Sequence, residues 1–239
     1  SRASRVTDAT EPRWIWEPYI KEFVNMPHQT WMMNDFMNET RRIYIGGKHV
    51  NTEATREIVE APVHEGRFAA AYSVTGDASR DALQARCVAQ GVLPRAAYYG
   101  AWYYFPSSAQ NSRDWNLFHF EGWNGSDHHY LWDVSVATAP NGELSLYVFD
   151  FLGTGRRDPS RRVLLPIASW VHIEFFWERS SDAAGRVTLY QDGQILLDIP
   201  DVVTDDSERA EWFVGNFADA LMPPDSTLYV DDVTIRASR

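Results

Sequence analysis

The sequence holds one cysteine, Cys87, so no disulfide can form within the chain. Cys87 sits in an apolar alternating run, where a buried, inert thiol is the default expectation. Positive charge is scarce. Lys and Arg number 22 against 33 Asp and Glu, a net charge of −11. That balance argues against a nucleic-acid backbone or an anionic membrane surface as partner. No apolar run reaches the roughly 18 residues that would suggest membrane insertion. Helical periodicity is nearly absent. "YIGGKHV" around Gly46-Gly47 has neither the spacing nor the following helix of a phosphate loop, and no GxSxG nucleophile elbow occurs. HExxH, HxH and paired CxxC are missing, as is the ExDxxE-like spacing of jelly-roll glucanases, although Glu174 and Glu178 share one strand.

What the chain does have is aromatic side chains, 14% of all residues with ten Trp. Residues 1–13 read as a disordered or linker N-terminus, without the apolar core of a signal peptide. Residues 14–42 are irregular and aromatic-rich, with a short helix expected in "EPYIKEFVNM". From about Ile43, a dozen short β-rich runs follow one another between Gly, Asn, Asp and Pro. Asp192-Gly193 is a strong hairpin signal, and "PNGE" at Pro140–Glu143 suggests a second. So many strands imply two packed antiparallel sheets, an all-β sandwich forming one domain over residues 14–239.

Alternation shows which side chains share a face. Val171, Ile173, Phe175 and Trp177 form one row and Trp170, His172, Glu174 and Phe176 the other. Asn116, Phe118 and Phe120 oppose Leu117, His119 and Glu121, while Ala85, Cys87 and Ala89 oppose Gln84, Arg86 and Val88. Several strands thus carry an apolar row and a mixed polar and aromatic row, as expected if one sheet is curved and its mixed face forms a groove. "HFEGWNGSDHHYLWDVSV", from His119 to Val136, concentrates three of the seven histidines. "NGSD" within it reads as a turn. His128 and His129 are adjacent, so on a strand they face opposite ways and do not readily bind one ion. His119, Glu121 and His129 are expected to converge near the loop end of a hairpin, with Asp133 in the row of His129. A histidine beside a carboxylate suits either base chemistry or hydrogen bonding to sugar hydroxyls. Trp102, Tyr104, Trp115, Trp123 and Trp132 are candidate sugar platforms.

"VEAPVHEGRFAAAYSV", "LQARC", "YYGAWYYFPSSAQNSRDWNLFHFEGW" and "SWVHIEFFWERSSDAAGRVTLYQDGQIL" come in an order that resembles the polysaccharide lyases of the concanavalin A-like jelly-roll class. "LYVDDVTI" is similar to the last strand of many lectin- and glucanase-like jelly rolls. The resemblance spans roughly residues 43–237. It implies a concanavalin A-like jelly roll of two antiparallel sheets. It also implies cleavage of acidic polysaccharides by β-elimination, with a base, a Tyr acid, and an Arg or Gln on the uronate carboxylate. The family's Arg-x-Glu-x-Arg strand falls on Ala82, Gln84 and Arg86, of which only Arg86 matches. Its Gln-x-His strand falls on His119 and Glu121. Its Tyr-Phe-Lys strand falls on "WFVGNF", with Phe217 where the catalytic Tyr would be, so Tyr98, Tyr104 or Tyr130 would have to supply the phenol. Jelly rolls of this type often hold a structural Ca²⁺ near their last strand, which makes Asp231 and Asp232 candidate ligands.

The sequence therefore predicts recognition of a polysaccharide or oligosaccharide on the concave sheet, lectin-like, through Gln84, Arg86, Trp102, Tyr104, His119, Glu121 and His129. The alternative is a divergent polysaccharide lyase with His119 or His129 as base, Tyr104 or another Tyr as acid, and Arg86 on the carboxylate. A third reading is a structural or adhesive domain with no small ligand. The expected location is secreted, cell-surface or periplasmic.

Overall fold

A computed structural model describes residues 54–76, 83–89, 93–109, 115–218 and 225–239, together with the backbone of three further strands. Those three, β1 (Lys21–Met26), β2 (Gln29–Asn34) and β3 (Glu39–Tyr44), pair antiparallel in one small sheet. The helix expected in "EPYIKEFVNM" is thus replaced by a strand from Lys21, where β-branched and aromatic side chains favour extended backbone. The disordered stretch expected at residues 1–13 lies outside the described residues.

The remaining strands build a two-layer sandwich. In chain order they are β4 (Ala54–Val59), β5 (Ala69–Thr75), β6 (Leu83–Ala89), β7 (Ala96–Tyr104), β8 (Trp115–Asn124), β9 (Asp127–Thr138), β10 (Leu144–Asp150) and β11 (Gly155–Arg157). Then follow β12 (Trp170–Glu178), β13 (Gly185–Gln191), β14 (Gln194–Val202), β15 (Arg209–Ala218) and β16 (Asp225–Arg236). One sheet has six strands in the order β11-β10-β9-β8-β15-β6, the other seven in the order β14-β13-β12-β7-β16-β5-β4. Neighbours in both sheets run antiparallel, and there is no helix among the described residues. The molecule is a β-sandwich of the jelly-roll kind.

The expected hairpins form. Asp192 and Gly193 both have positive φ, 48° and 78°, the backbone that a tight I′-type turn requires. The apolar rows meet between the sheets. Trp115, Trp132, Trp177, Tyr99, Tyr103, Phe105, Phe118, Phe120 and Phe175 are all fully buried there. Burying each such ring contributes about 1.5–3 kcal/mol or more, offset by the ordering of the chain.

Several polar groups in this core are paired, some of them across the layers, although the Tyr99 hydroxyl and the Trp212 indole N–H have no partner among the described residues. The Thr204 carbonyl accepts indole N–H groups from both sheets, Trp132 at 2.8 Å and Trp177 at 3.2 Å. Asn216 accepts from Trp115 Nε1 at 2.9 Å and donates to the Tyr72 carbonyl at 3.1 Å. Tyr103, on β7, reaches into the opposite sheet where β8 and β15 lose register. Its hydroxyl donates to the Leu117 carbonyl at 2.9 Å and accepts the Gly215 N–H at 3.2 Å. Between Val214 and Phe217, the pair Gly215 and Asn216 opposes the single residue Leu117. Gly215 has φ 151°, and a Cβ there would collide with the Ala85 carbonyl oxygen.

Removing the Tyr103 hydroxyl strands two buried backbone groups. Tyr103→Phe is therefore expected to cost about 1–3 kcal/mol, and Gly215→Ala at least as much. Denaturant unfolding curves check this. Midpoints unchanged in both variants would show that the Tyr103 bridge is not needed.

Candidate functional site

The outward row of the six-stranded sheet carries the polar side chains. On β6 it presents Gln84 and Arg86, on β15 Phe213 and Phe217, on β8 His119 and Glu121, and on β9 Asp133 and Tyr130. Two irregularities set this arrangement. Leu117 is an extra residue of β8 relative to β9, so Asn116 lies on the same face as His119 rather than opposite it. Leu131 is an extra residue of β9 relative to β8, between the pairs Phe120–Trp132 and Glu121–Tyr130. Leu131 and Trp132 both point into the core, and the parity of the strand reverses across them.

His119 is 4% exposed, and both of its ring nitrogens are engaged. Nδ1 shares a short hydrogen bond with Asp133, and Nε2 lies 2.9 Å from Glu121 Oε1. Asn116 Nδ2 donates to the other Asp133 oxygen at 3.1 Å. Burial alone would push the imidazole pKa down. The charge and hydrogen bond of Asp133, with the hydrogen bond of Glu121, outweigh it and raise the pKa above the usual histidine value. Burial would raise the Glu121 pKa, but His119 and the more distant charge of Arg86 bring it below the usual carboxylate range. Each charge stabilises the other because both lie largely out of water.

Arg86 lies over two rings, 4.5 Å from the centroid of Phe213 and 4.9 Å from that of Phe217. Its Nη2 donates to Gln84, while Nε and Nη1 are buried without a hydrogen-bond partner. Desolvation lowers its pKa, opposed by the negative groups Glu121 and Asp133. Unsatisfied N–H groups on a desolvated cation are costly and suit an anionic acceptor such as a carboxylate. Beside them stands an aromatic wall. The Tyr130 ring is edge-on to His119 at 4.8 Å and to Phe151 at 5.3 Å. Tyr130 is 48% exposed and Phe151 40%.

The structure brings Gln84, Arg86, His119 and Glu121 together and leaves other expected residues apart. His129 faces away from His119, opposite Gly122, as the turn register dictates, and pairs with Asp206 at 2.5 Å; the Leu131 bulge takes Asp133 out of its row. Trp102 and Tyr104 stand on β7, in the other sheet, facing outward there. Trp102 stacks on His64 at 3.8 Å, and Tyr104 packs against Trp170 and Tyr229. Trp115 and Trp132 are core residues, held by their indole hydrogen bonds. Trp123 lies beside the β8–β9 turn under Arg209. Among the described residues, the rings facing the cluster are therefore Tyr130, Phe151 and Phe213, not tryptophans. Asp133 and Asn116 complete the cluster. The signal that would have found them is the cross-strand register rather than any motif.

Asp231 and Asp232, expected to hold Ca²⁺, are engaged otherwise. Asp231 accepts the backbone N–H groups of His64 at 3.0 Å and Asp232 at 2.9 Å, and Asp232 Oδ2 lies 2.7 Å from His64 Nδ1. Oxygens committed to N–H donors do not by themselves fit a Ca²⁺ cage. No three His, Cys, Asp or Glu side chains converge as metal ligands among the described residues. A Ca²⁺ here would have to draw its further ligands from elsewhere in the chain.

No family model and no curated protein sequence matches the chain. Solved structures do. An endo-β-1,4-glucuronan lyase from the fungus Trichoderma reesei superposes with a TM-score of 0.61 at 16% identity, covering 80% of this chain and 90% of that one. A cellulose-induced protein, Cip1, does so with 0.57 at 13%, covering 79% and 88%. Alginate lyase vAL-1 from Chlorella virus gives 0.52 at 10%, covering 77% and 89%. At these identities the likeness establishes the shared fold.

The raised His119 pKa has a consequence for stability. The imidazolium contributes fully below the ordinary histidine value of about 6.5, and its contribution is lost as pH rises through the raised folded value. Thermal melts from about pH 5 to pH 9 should fall on the alkaline side in the wild type and fall less in His119→Gln. Parallel profiles would mean that His119 is not held as a cation.

Proposed function

We propose that the protein is a β-eliminating lyase of uronic-acid-containing polysaccharides, acting on the outer face of the six-stranded sheet. The observation that carries this is Arg86: a half-buried cation with two buried N–H positions lacking an acceptor, beside an ionisable imidazole and a half-exposed phenol. The glucuronan and alginate lyases that share the fold support the same substrate class.

In this reading the uronate carboxylate displaces the groups that cover Arg86 Nε and Nη1, which are buried before the sugar arrives, and pairs with them. Neutralising that charge acidifies the adjacent C5–H. His119, with Nδ1–H fixed on Asp133, takes the C5 proton at Nε2 after the sugar displaces the Glu121 hydrogen bond. The C5–H electron pair becomes the C4=C5 double bond, the C4–O4 bond breaks, and Tyr130 gives its proton to the departing oxygen. Tyr130 thereby supplies the phenol absent at Phe217. Because His119 must be neutral to accept a proton, activity should rise with pH through its raised pKa. The Tyr130–Phe151 wall packs against a pyranose ring in the neighbouring position. Such an enzyme would work outside the cell, where these polymers are found.

A second reading is favoured by the double engagement of His119 and by Phe217: lectin-like binding of the same glycans without cleavage. Ultraviolet absorbance of the unsaturated uronic product, followed over glucuronan, alginate and related polymers, separates the two. Wild type should generate absorbance. Tyr130→Phe should lower kcat by about 10²-fold or more with binding retained, and Arg86→Ala should weaken both. Binding of uronans by a wild type that never produces absorbance would leave the lectin; neither binding nor cleavage would remove both readings.

A further inference from the structure

Although the chain is strongly acidic overall, "GRRDPSRR" from Gly155 to Arg162 places four arginines within seven residues. The segment begins on β11 and lies against β10 at the edge of the six-stranded sheet. Register shows which face it joins. Phe149 is opposite Asp133, which is opposite His119, and Tyr147 is opposite Ser135, which is opposite Asn116. Ser145 continues the same alternating row on β10. The arginine segment therefore borders the same outer face as the His119 cluster: Arg156 is opposite Phe149 in the His119 row, and Arg162 reaches Ser145, four residues along β10 from that row, or roughly 14 Å.

A cavity of about 250 Å³ opens there, lined in part by Ala137, Ser145, Arg156, Asp158 and Arg162. The guanidinium groups are held in place before any ligand arrives. Arg156 lies 4.0 Å over the Tyr147 ring and forms a two-pronged pair with Asp158 at 2.7–3.1 Å. Arg162 donates to Ser145 Oγ at 3.2 Å and to the Glu143 carbonyl at 2.9 Å, with the Glu143 carboxylate 3.8 Å away. Arg161, the chain neighbour of Arg162, is exposed and adds to the local positive charge. Planar guanidinium forks suit carboxylates and vicinal hydroxyls, and the cavity also offers the Ser145 hydroxyl and the Asp158 carboxylate as sugar-binding groups.

We propose that this cavity is a distal subsite, holding a carboxylate-bearing sugar residue of the polysaccharide several units from His119. The inference rests on the uronan reading above for its ligand class. It adds a dependence on chain length: long anionic chains reach both Arg86 and the arginine cavity, whereas a short oligosaccharide reaches only the first.

The test uses Arg161→Glu and Arg162→Ala, with Arg162→Lys as the charge-preserving comparison. Arg161 is exposed, so its reversal tests the site without threatening the fold. Binding of long polyglucuronate, a uronate trisaccharide and a neutral glucan is measured by calorimetry at low and moderate salt, beside cleavage of the trisaccharide. Expected is about a tenfold weaker Kd for the polymer in Arg162→Ala, a smaller loss in Arg162→Lys, and a loss in Arg161→Glu that fades with salt. Trisaccharide binding and turnover should be unchanged. Equal polymer affinity in Arg162→Ala and wild type, or no polymer binding by wild type, would overturn the subsite. Salt-sensitive polymer binding that the variants lose, with no cleavage of any substrate, would uphold the subsite and overturn the lyase reading alone.

Discussion

The Tyr103 hydroxyl is the contact on which the candidate site depends. It crosses the core from one sheet and satisfies a carbonyl and an N–H that a break in register leaves exposed in the other. Without a partner in the dry interior, such a break would be costly. With it, Gly215 and Asn216 can oppose Leu117 alone, and β8 can shift its alternation at Leu117. Trp115 and Phe118 then both point inward although they are three residues apart, and Asn116 and His119 both point outward. A strictly regular strand could not do both.

The site inherits this local geometry. The Leu131 bulge performs the same reversal on β9 and delivers both Asp133 and Tyr130 to the outer face. The result is a compact electrostatic unit in which two cations, Arg86 and a protonated His119, face two carboxylates, Glu121 and Asp133. With His119 protonated those four formal charges cancel, which favours so buried a cluster. Arg86 is the member whose hydrogen bonding is incomplete, which is the basis of the proposal that an anionic sugar is its partner.

Much of the architecture was legible in the sequence. The apolar row of "WVHIEFFWE" and the "DG" turn identify strands and a hairpin because side-chain period and turn chemistry are local properties. Arg86, Gln84, His119 and Glu121 could be placed on one face for the same reason. Bulges escape such reasoning. Counting back from the Asn124–Asp127 turn puts His119 opposite Trp132, and only the extra residue Leu131 moves it opposite Asp133. The same register from the turn already puts His129 opposite Gly122, on the other face from His119. Trp102 and Tyr104 illustrate a different limit: alternation gives them a shared face of their strand but does not say to which sheet that strand belongs, and β7 lies in the seven-stranded one.

The most direct test of the account is a crystal structure with a bound uronate oligosaccharide, obtained with Tyr130→Phe to slow turnover. The account predicts one sugar carboxylate on Arg86 Nε and Nη1, C5 facing His119 Nε2, and a neighbouring ring against the wall formed by residue 130 and Phe151. A sugar bound instead on the outer face of the other sheet, near Trp102 and Trp170, would contradict it.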